Sequence, residues 1–193
     1  KTLIKDELRE DAKKFGDGRR SPLVARAAAQ ALDEAALVAS EPTTIVLSAK
    51  GWVRAAKGHD IDATALSYRE GDGFRTAAKG RTTQQVAFID SSGRSYSAAA
   101  HSLPSARGNG EPLSGRFSIT SGAQIDTLAI ADPATRLVLA SDRGYGFVTR
   151  FENLLGSKKA GKQVMNIEDD AHVLDPALVE DSARDRIVVA TNS

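Results

Sequence analysis

The stretch Ile45-Val46-Leu47-Ser48-Ala49-Lys50-Gly51-Trp52 decides the fold, because three further segments repeat its pattern. They are Ala87-Phe88-Ile89-Asp90-Ser91-Ser92-Gly93-Arg94, then Val138-Leu139-Ala140-Ser141-Asp142-Arg143-Gly144-Tyr145, and finally Val188-Val189-Ala190-Thr191-Asn192-Ser193. Each sets an apolar run before a two-residue turn ending at glycine, and the following strand alternates, as in Trp52 and Arg54 or Tyr145 and Phe147. That is the pattern of a β-hairpin with glycine in its turn. The glycines at 51, 93 and 144 stand 42 and 51 residues apart. One hairpin per unit at such a period predicts four-stranded, propeller-like blades, because helical repeats of similar period lack this β-branched composition. A lone blade cannot bury both faces of a small sheet, so neighbours must pack on it. The fourth copy reaches Ser193 where its glycine is next expected, so three full repeats and a truncated fourth are predicted.

Upstream the pattern changes from period two to helical spacing. Ile4, Leu8, Ala12 and Phe15 form one apolar stripe over Lys1 to Phe15, and Gly16-Asp17-Gly18 before Pro22 ends it. The Ala-rich run from Leu23 onward reads as a linker with some helical tendency. The expected organisation is therefore a helix end over 1–22, a linker over 23–43 and an all-β domain over 44–193. The first residue is Lys rather than Met, and the chain reads as an excised piece of a longer protein.

Composition narrows the function classes. With 41% hydrophobic and 26% charged residues the chain is ordinary for a globular protein, and its lack of cysteine removes disulfides, thiolate metal sites and cysteine nucleophiles together. It fits a reducing cytoplasm, and no run approaches the roughly 20 apolar residues of a membrane span. The net charge of +1 conceals an uneven distribution. Residues 1–43 hold 8 basic and 8 acidic groups, residues 44–163 hold 16 against 10, and residues 164–193 hold 2 against 7.

The basic middle contains loops that put a base beside a glycine: Ala55-Ala56-Lys57-Gly58, Ala78-Lys79-Gly80-Arg81, Ser105-Ala106-Arg107-Gly108 and Lys158-Lys159-Ala160-Gly161-Lys162. A single surface Lys or Arg is ordinarily just solvated. Bases recurring at corresponding points of successive blades should share a rim, where each neutralised phosphate adds counterion-release free energy. Lys50, Arg54, Lys57, Lys79, Arg81, Arg94, Arg107, Arg143, Arg150, Lys158, Lys159 and Lys162 are the DNA-binding candidates. Such contacts position a duplex without reading its sequence. Trp52 is read as packing between blades, and Phe88, Phe117, Phe147 and Phe151 as core. His59 and His172 lack ligand spacing and Asp60-Ile61-Asp62 reads as a loop, so neither a metal site nor an acid–base pair is expected. No phosphate-binding loop for ATP occurs.

Glu41-Pro42-Thr43-Thr44-Ile45-Val46-Leu47-Ser48, Gly51-Trp52-Val53-Arg54 and Ala56-Lys57-Gly58-His59-Asp60-Ile61-Asp62 resemble the first blade of the A-subunit family of bacterial type IIA topoisomerases, topoisomerase IV in particular. Gly93-Arg94-Ser95-Tyr96, Leu103-Pro104-Ser105-Ala106-Arg107-Gly108 and Ala140-Ser141-Asp142-Arg143-Gly144-Tyr145-Gly146-Phe147 resemble its following blades, and residues 11–22 resemble the end of the long helix leaving the breakage-reunion core. The resemblance implies a β-pinwheel, a propeller-like fold in which adjacent blades exchange strands, and a domain that binds and bends double-stranded DNA. For the parent enzyme it implies ATP- and Mg2+-dependent decatenation and relaxation during chromosome segregation. ATP and Mg2+ would be bound through a B-type partner subunit, the parent enzyme would contain two copies of the A-type chain, and its location would be cytoplasmic and nucleoid-associated. No cofactor is expected in this chain. The family's cleavage tyrosine follows an arginine, and Ser67-Tyr68, Ser95-Tyr96 and Gly144-Tyr145 do not match, so no catalytic residue is expected. The corresponding chain of DNA gyrase, the nearest alternative, carries a Gln-Arg-Arg-Gly-Gly-Lys-Gly box that is absent here. A protein-binding propeller is the alternative from another class, and a hydrolase has no motif to support it.

Overall fold

Three hairpins organise the computed structural model, which describes residues 2–18, 38–168 and 170–179. In chain order the strands are β1 (Pro42–Ser48), β2 (Trp52–Lys57), β3 (Phe74–Arg81), β4 (Gln85–Asp90), β5 (Arg94–Ala99), β6 (Glu111–Pro112), β7 (Ile125–Ala131), β8 (Arg136–Ala140), β9 (Gly146–Arg150), β10 (Lys162–Gln163) and β11 (Ala177–Val179). The hairpins are β1–β2, β4–β5 and β8–β9, all antiparallel. Gly51, Gly93 and Gly144 close them with φ of +75°, +77° and +84°. Each donates its N–H to the carbonyl three residues back, on Ser48, Asp90 and Ser141. The turn therefore spans one residue more than the expected two-residue turn, with glycine in the left-handed last position that suits a bulged three-residue loop.

The sheets are not built from consecutive strands. Their orders are β3-β1-β2-β6, β10-β5-β4-β7 and β11-β8-β9. β6 follows the second hairpin in sequence yet pairs with β2 of the first sheet, through Trp52–Pro112 and Val53–Glu111. β10 likewise follows the third hairpin yet pairs with β5 of the second, through Lys162–Ser95 and Gln163–Arg94. The second and third hairpins thus each donate a short strand back to the preceding sheet, the exchange that separates a pinwheel from a propeller. The unequal repeat spacing has its cause here. From Gly51 to Phe74, the start of β3, is 23 positions, whereas from Gly93 to Ile125, the start of β7, is 32; from those strands to the next turn glycine is 19 in both cases. The first unit lacks the segment that the later units donate.

Burial follows the same layering. On β4, Val86 and Phe88 face one core, with Ile45, Leu47, Val53, Tyr96, Leu113 and Leu128. Ala87 and Ile89, on the opposite face, join a second core with Leu137, Leu139, Phe151, Leu154 and Met165. The second sheet is therefore covered on both faces, which is why Ile125–Ala131 is buried along its whole length rather than at alternate residues. Phe88 and Phe151 are core, as expected, and Phe117 packs against the first core beside Tyr96, ring centroids 5.4 Å apart. Phe147 departs from expectation at 42% exposed, because β9 is an edge strand among the described residues. Trp52 is half-buried and lies under the Arg69 guanidinium, 4.3 Å from the ring centroid.

The chain divides into two units, the first containing the helix α1 (Thr2–Phe15) and the second all the strands. Within α1 no residue is buried, so its Ile4, Leu8 and Phe15 stripe is exposed. The fourth repeat copy and residues 19–37 lie outside the described residues. The first strand starts at Pro42, inside the stretch expected as linker, since Pro42 pairs with Arg81 and Thr43 with both Lys57 and Gly80.

Candidate nucleic-acid interface

Two of the basic loops singled out by sequence occupy equivalent places in the fold. After β5 comes a single turn of 3-10 helix (Ala100–Ser102), then Ser105-Ala106-Arg107-Gly108-Asn109-Gly110, then the donated β6. After β9 comes a 3-10 turn (Phe151–Leu154), then Gly156-Ser157-Lys158-Lys159-Ala160-Gly161, then the donated β10. Leu103 and Leu154 anchor the two loops in the core. Gly110 and Gly161 end them with φ of +85° and +68°. Both are held against the receiving strand: a Cβ on Gly110 would stand 2.3 Å from the Val53 carbonyl oxygen, and one on Gly161 would stand 2.7 Å from the Tyr96 ring. Arg107 and Lys158 therefore fall three residues before a glycine that seats a donated strand. β3 packs against β7, while β6 and β10 form the opposite edges of their sheets. The basic loops sit on that edge.

The remaining candidates are dispersed. Arg107, Lys158 and Lys159 are exposed, as is Lys162 on β10, whose Nζ donates to the Asn153 carbonyl at 2.9 Å. Lys50 and Arg143 are exposed in the turns of the first and third hairpins. Lys57, Lys79, Arg81 and Arg150 lie toward the other end of the strands. There Lys57 meets Glu41 at 3.0 Å, Arg150 meets Glu152 at 3.4 Å, and Arg81 donates to Ser40. Arg94 is half-buried, its Nε donating to the Ala160 carbonyl at 3.1 Å and its second terminal nitrogen to the Gly161 carbonyl at 3.3 Å. Arg54 corrects the expected rim. It is 4% exposed, donates to the carbonyls of Ser67 (2.8 Å) and Gly108 (3.2 Å), and stacks over Tyr68 at 4.6 Å, so a phosphate cannot reach it without moving these loops.

The acidic and histidine residues serve the scaffold. Asp90, fully buried, accepts from the Ser92 and Arg94 amides and from the Ser92 and Tyr96 hydroxyls, fixing the second turn. Burial and that hydrogen bond push the Tyr96 hydroxyl above its usual range. Asp126, 7% exposed, pairs with Arg75 at 3.3 Å, with His172 at 3.9 Å, and burial raises it despite both. His59 contacts the Gly80 carbonyl at 2.9 Å, and Asp62 accepts from the Thr64 hydroxyl and amide, which lowers its carboxyl. Sequence reasoning missed the strand-seating role of Gly110 and Gly161, and it missed Arg116. The first two carry a readable signal, a base three residues upstream of glycine in both repeats. Arg116, on α2 (Leu113–Arg116), pairs with Glu111 at 2.7 Å and reaches Ser102, contacts without a recurring pattern.

No protein-family model matches the chain. Individual relatives do. The chain is 53% identical over 191 residues to the A subunit of DNA topoisomerase 4 from Pseudomonas aeruginosa, and 48% identical over 191 residues to its counterpart from Escherichia coli K12. In each case the alignment covers 99% of this chain and 25% of the relative, so the chain spans a quarter of the length of these proteins. In fold it is similar to the E. coli ParC C-terminal domain, with a TM-score of 0.67 at 50% identity, covering 74% of this chain and 58% of that one. The donated strands, the glycine-closed hairpins and near-complete alignment with these relatives agree: the chain belongs to the A-subunit family of topoisomerase IV, in the region that folds as its C-terminal β-pinwheel.

Proposed function

We propose that the edge carrying the donated loops binds duplex DNA through its phosphates, with Arg107 on the first sheet and Lys158, Lys159 and Lys162 on the second as principal contacts. Lys50, Lys57, Lys79, Arg81, Arg143 and Arg150 add positive potential from the strand ends, three of them while already engaged by protein groups. One observation carries the reading: the same loop, in two successive units, brings a base to the same place on neighbouring sheet edges. Contacts spread over adjacent sheets favour a curved duplex. Bending a site of 20–30 base pairs costs on the order of 1–6 kcal/mol, which a few phosphate contacts offset. No groove-reading helix is presented by these loops, so the binding is independent of sequence.

In the longer protein, α1 with the residues up to 22 would end the core-domain helix and residues 23–43 would link it to the pinwheel. The domain would hold a DNA segment for ATP- and Mg2+-dependent strand passage by an assembly of two A-type chains with a B-type partner subunit. The chain itself supplies no cleavage tyrosine. The test is the affinity of this 193-residue chain for a 30-base-pair duplex as a function of salt. Substituting Arg107, Lys158 and Lys159 together by Ala should reduce the magnitude of the log–log salt slope by about 2.7, roughly 0.9 per phosphate. An unchanged slope would overturn the reading.

A further inference from the structure

The geometry points to Arg94 and Arg54 as positioning residues for DNA binding: each belongs to the sheet that receives a donated strand, and each grips the backbone of the basic loop leading into that strand. The inference rests on the DNA-edge reading above. It separates two residues that sequence alone placed among the phosphate contacts.

In the second sheet, Arg94 opens β5 and directs two nitrogens onto consecutive carbonyls, Ala160 at 3.1 Å and Gly161 at 3.3 Å, immediately after Lys158 and Lys159. A third nitrogen reaches Gln163 Oε1 at 3.4 Å, and Gln163 itself donates to the carbonyls of Ser92 and Met165. In the first sheet, Arg54 on β2 bridges the Gly108 carbonyl, next to Arg107, to the Ser67 carbonyl in the loop before β3. Among the described residues Arg54 has no carboxylate partner, and one of its terminal nitrogens is buried without a hydrogen-bond partner. A buried cation held only by carbonyls and a ring is costly, and here the other terminal nitrogen ties two loops to one strand. The two arginines are not at equivalent positions. Tyr96 stands where Arg54 would in the second sheet, and it is the Tyr96 ring that packs against Gly161. The shared feature is a host-strand guanidinium on the carbonyls of a guest loop.

A planar fork that bridges carbonyls cannot be replaced by a point charge, whereas a phosphate contact largely can. The experiment compares Arg94→Lys and Arg94→Ala in the 193-residue chain, alone and in a Lys158→Ala/Lys159→Ala background. The readouts are duplex affinity at 0.1 M salt and amide exchange of residues 157–165 without DNA. A positioning role predicts that both substitutions lose about eightfold or more in affinity, one phosphate contact or more at this salt. Both should also expose the Gly161 amide, which is bonded to the Lys158 carbonyl, and neither should cost more than about twofold once Lys158 and Lys159 are gone. Arg54→Ala should do the same at residues 105–110 with Arg107→Ala as background. If Arg94→Lys binds within twofold of the parent chain and leaves Gly161 protected, or if the Arg94→Ala loss persists in the double-alanine background, Arg94 is a phosphate contact and the inference fails. If Gly161 is exposed yet Lys158→Ala/Lys159→Ala binds DNA as tightly as before, the clamp stands as a loop device and the DNA-edge reading fails instead.

Discussion

Gly110→Ala tests whether the donated strand is a structural requirement or an ornament of the first sheet. Two costs apply. An alanine at φ +85° sits in left-handed backbone, at about 1–2 kcal/mol. Its Cβ would also stand 2.3 Å from the oxygen and 2.9 Å from the carbon of the Val53 carbonyl, both backbone atoms of a paired strand that cannot swing aside. The loop must retreat. β6 then loses its two-residue ladder on β2, and Leu113, fully buried directly after it, is drawn from the core at a further cost of about 1.5–3 kcal/mol. The expected total is roughly 3–5 kcal/mol, against about 1–2 kcal/mol for Gly144→Ala, whose Cβ would meet nothing within 4 Å at φ +84°. At about 2–4 °C per kcal/mol for a domain of this size, Gly110→Ala should lower Tm by roughly 6–20 °C and Gly144→Ala by roughly 2–8 °C. Thermal and urea unfolding followed by circular dichroism measure both. Equal losses in the two variants would refute the claim that the close approach of Gly110 to Val53 seats the exchanged strand.

Asp90→Ala removes a buried acceptor of four hydrogen bonds and orphans the Tyr96 hydroxyl, so urea unfolding should show a loss of about 3–5 kcal/mol; a loss below about 1 kcal/mol would show the second turn is held by its glycine alone. Asp126 has its carboxyl raised on folding by burial, so its contribution declines as pH rises from the ordinary carboxylate range through the raised value. Asp126→Asn should therefore match or exceed the parent chain at neutral pH and flatten that part of the stability profile; a clear loss at pH 7 would mean that the Arg75 pair outweighs desolvation. Asp72 has the opposite sign. Burial would raise its carboxyl, but hydrogen bonds from the Ser48 hydroxyl and the Gly73 and Lys50 amides hold it below the usual range, so its contribution is present at neutral pH and is lost as pH falls through the lowered value. Asp72→Asn should accordingly destabilise at pH 7 and make no difference below both values, read from denaturant midpoints at each pH.

The hairpins were legible because their rule is local. An apolar run, a turn residue and a glycine at a fixed offset need no knowledge of what packs outside, and Gly51, Gly93 and Gly144 all stand in the left-handed turns that offset requires. The donated strands were not legible. Glu111–Pro112 and Lys162–Gln163 are two residues each, too short for any alternation, and their partners lie in the preceding unit. Their trace was the difference between spacings of 42 and 51, visible but uninterpretable without the sheet order. Phe147 was misplaced for a related reason: period two gives the face of a strand, not whether a neighbour covers it. Among the bases, charge and glycine proximity located Arg107, Lys158 and Lys159 on exposed loops but could not tell Arg54 from Lys57. Alternation along β2 puts Arg54 among buried residues, at a position that usually holds an apolar side chain, and only the carbonyls of Ser67 and Gly108 explain how a guanidinium stands there.

Strand exchange also bears on how such a surface is organised. In a propeller of self-contained blades, each blade would carry its own basic loop, and a local opening would remove one contact. Here Arg107 belongs by sequence to the second hairpin but is held by β2 of the first sheet, and Lys158 and Lys159 belong to the third hairpin but are held by β5 of the second. Loosening one sheet therefore releases a loop anchored in the next, through Leu103 or Leu154 in the shared cores. Contacts along the edge should be gained and lost together rather than one at a time. Under the proposed DNA-edge reading, that coupling would give a basic edge with defined spacing between successive phosphate contacts, which a bent duplex requires and which a set of independent flexible lysines would not supply.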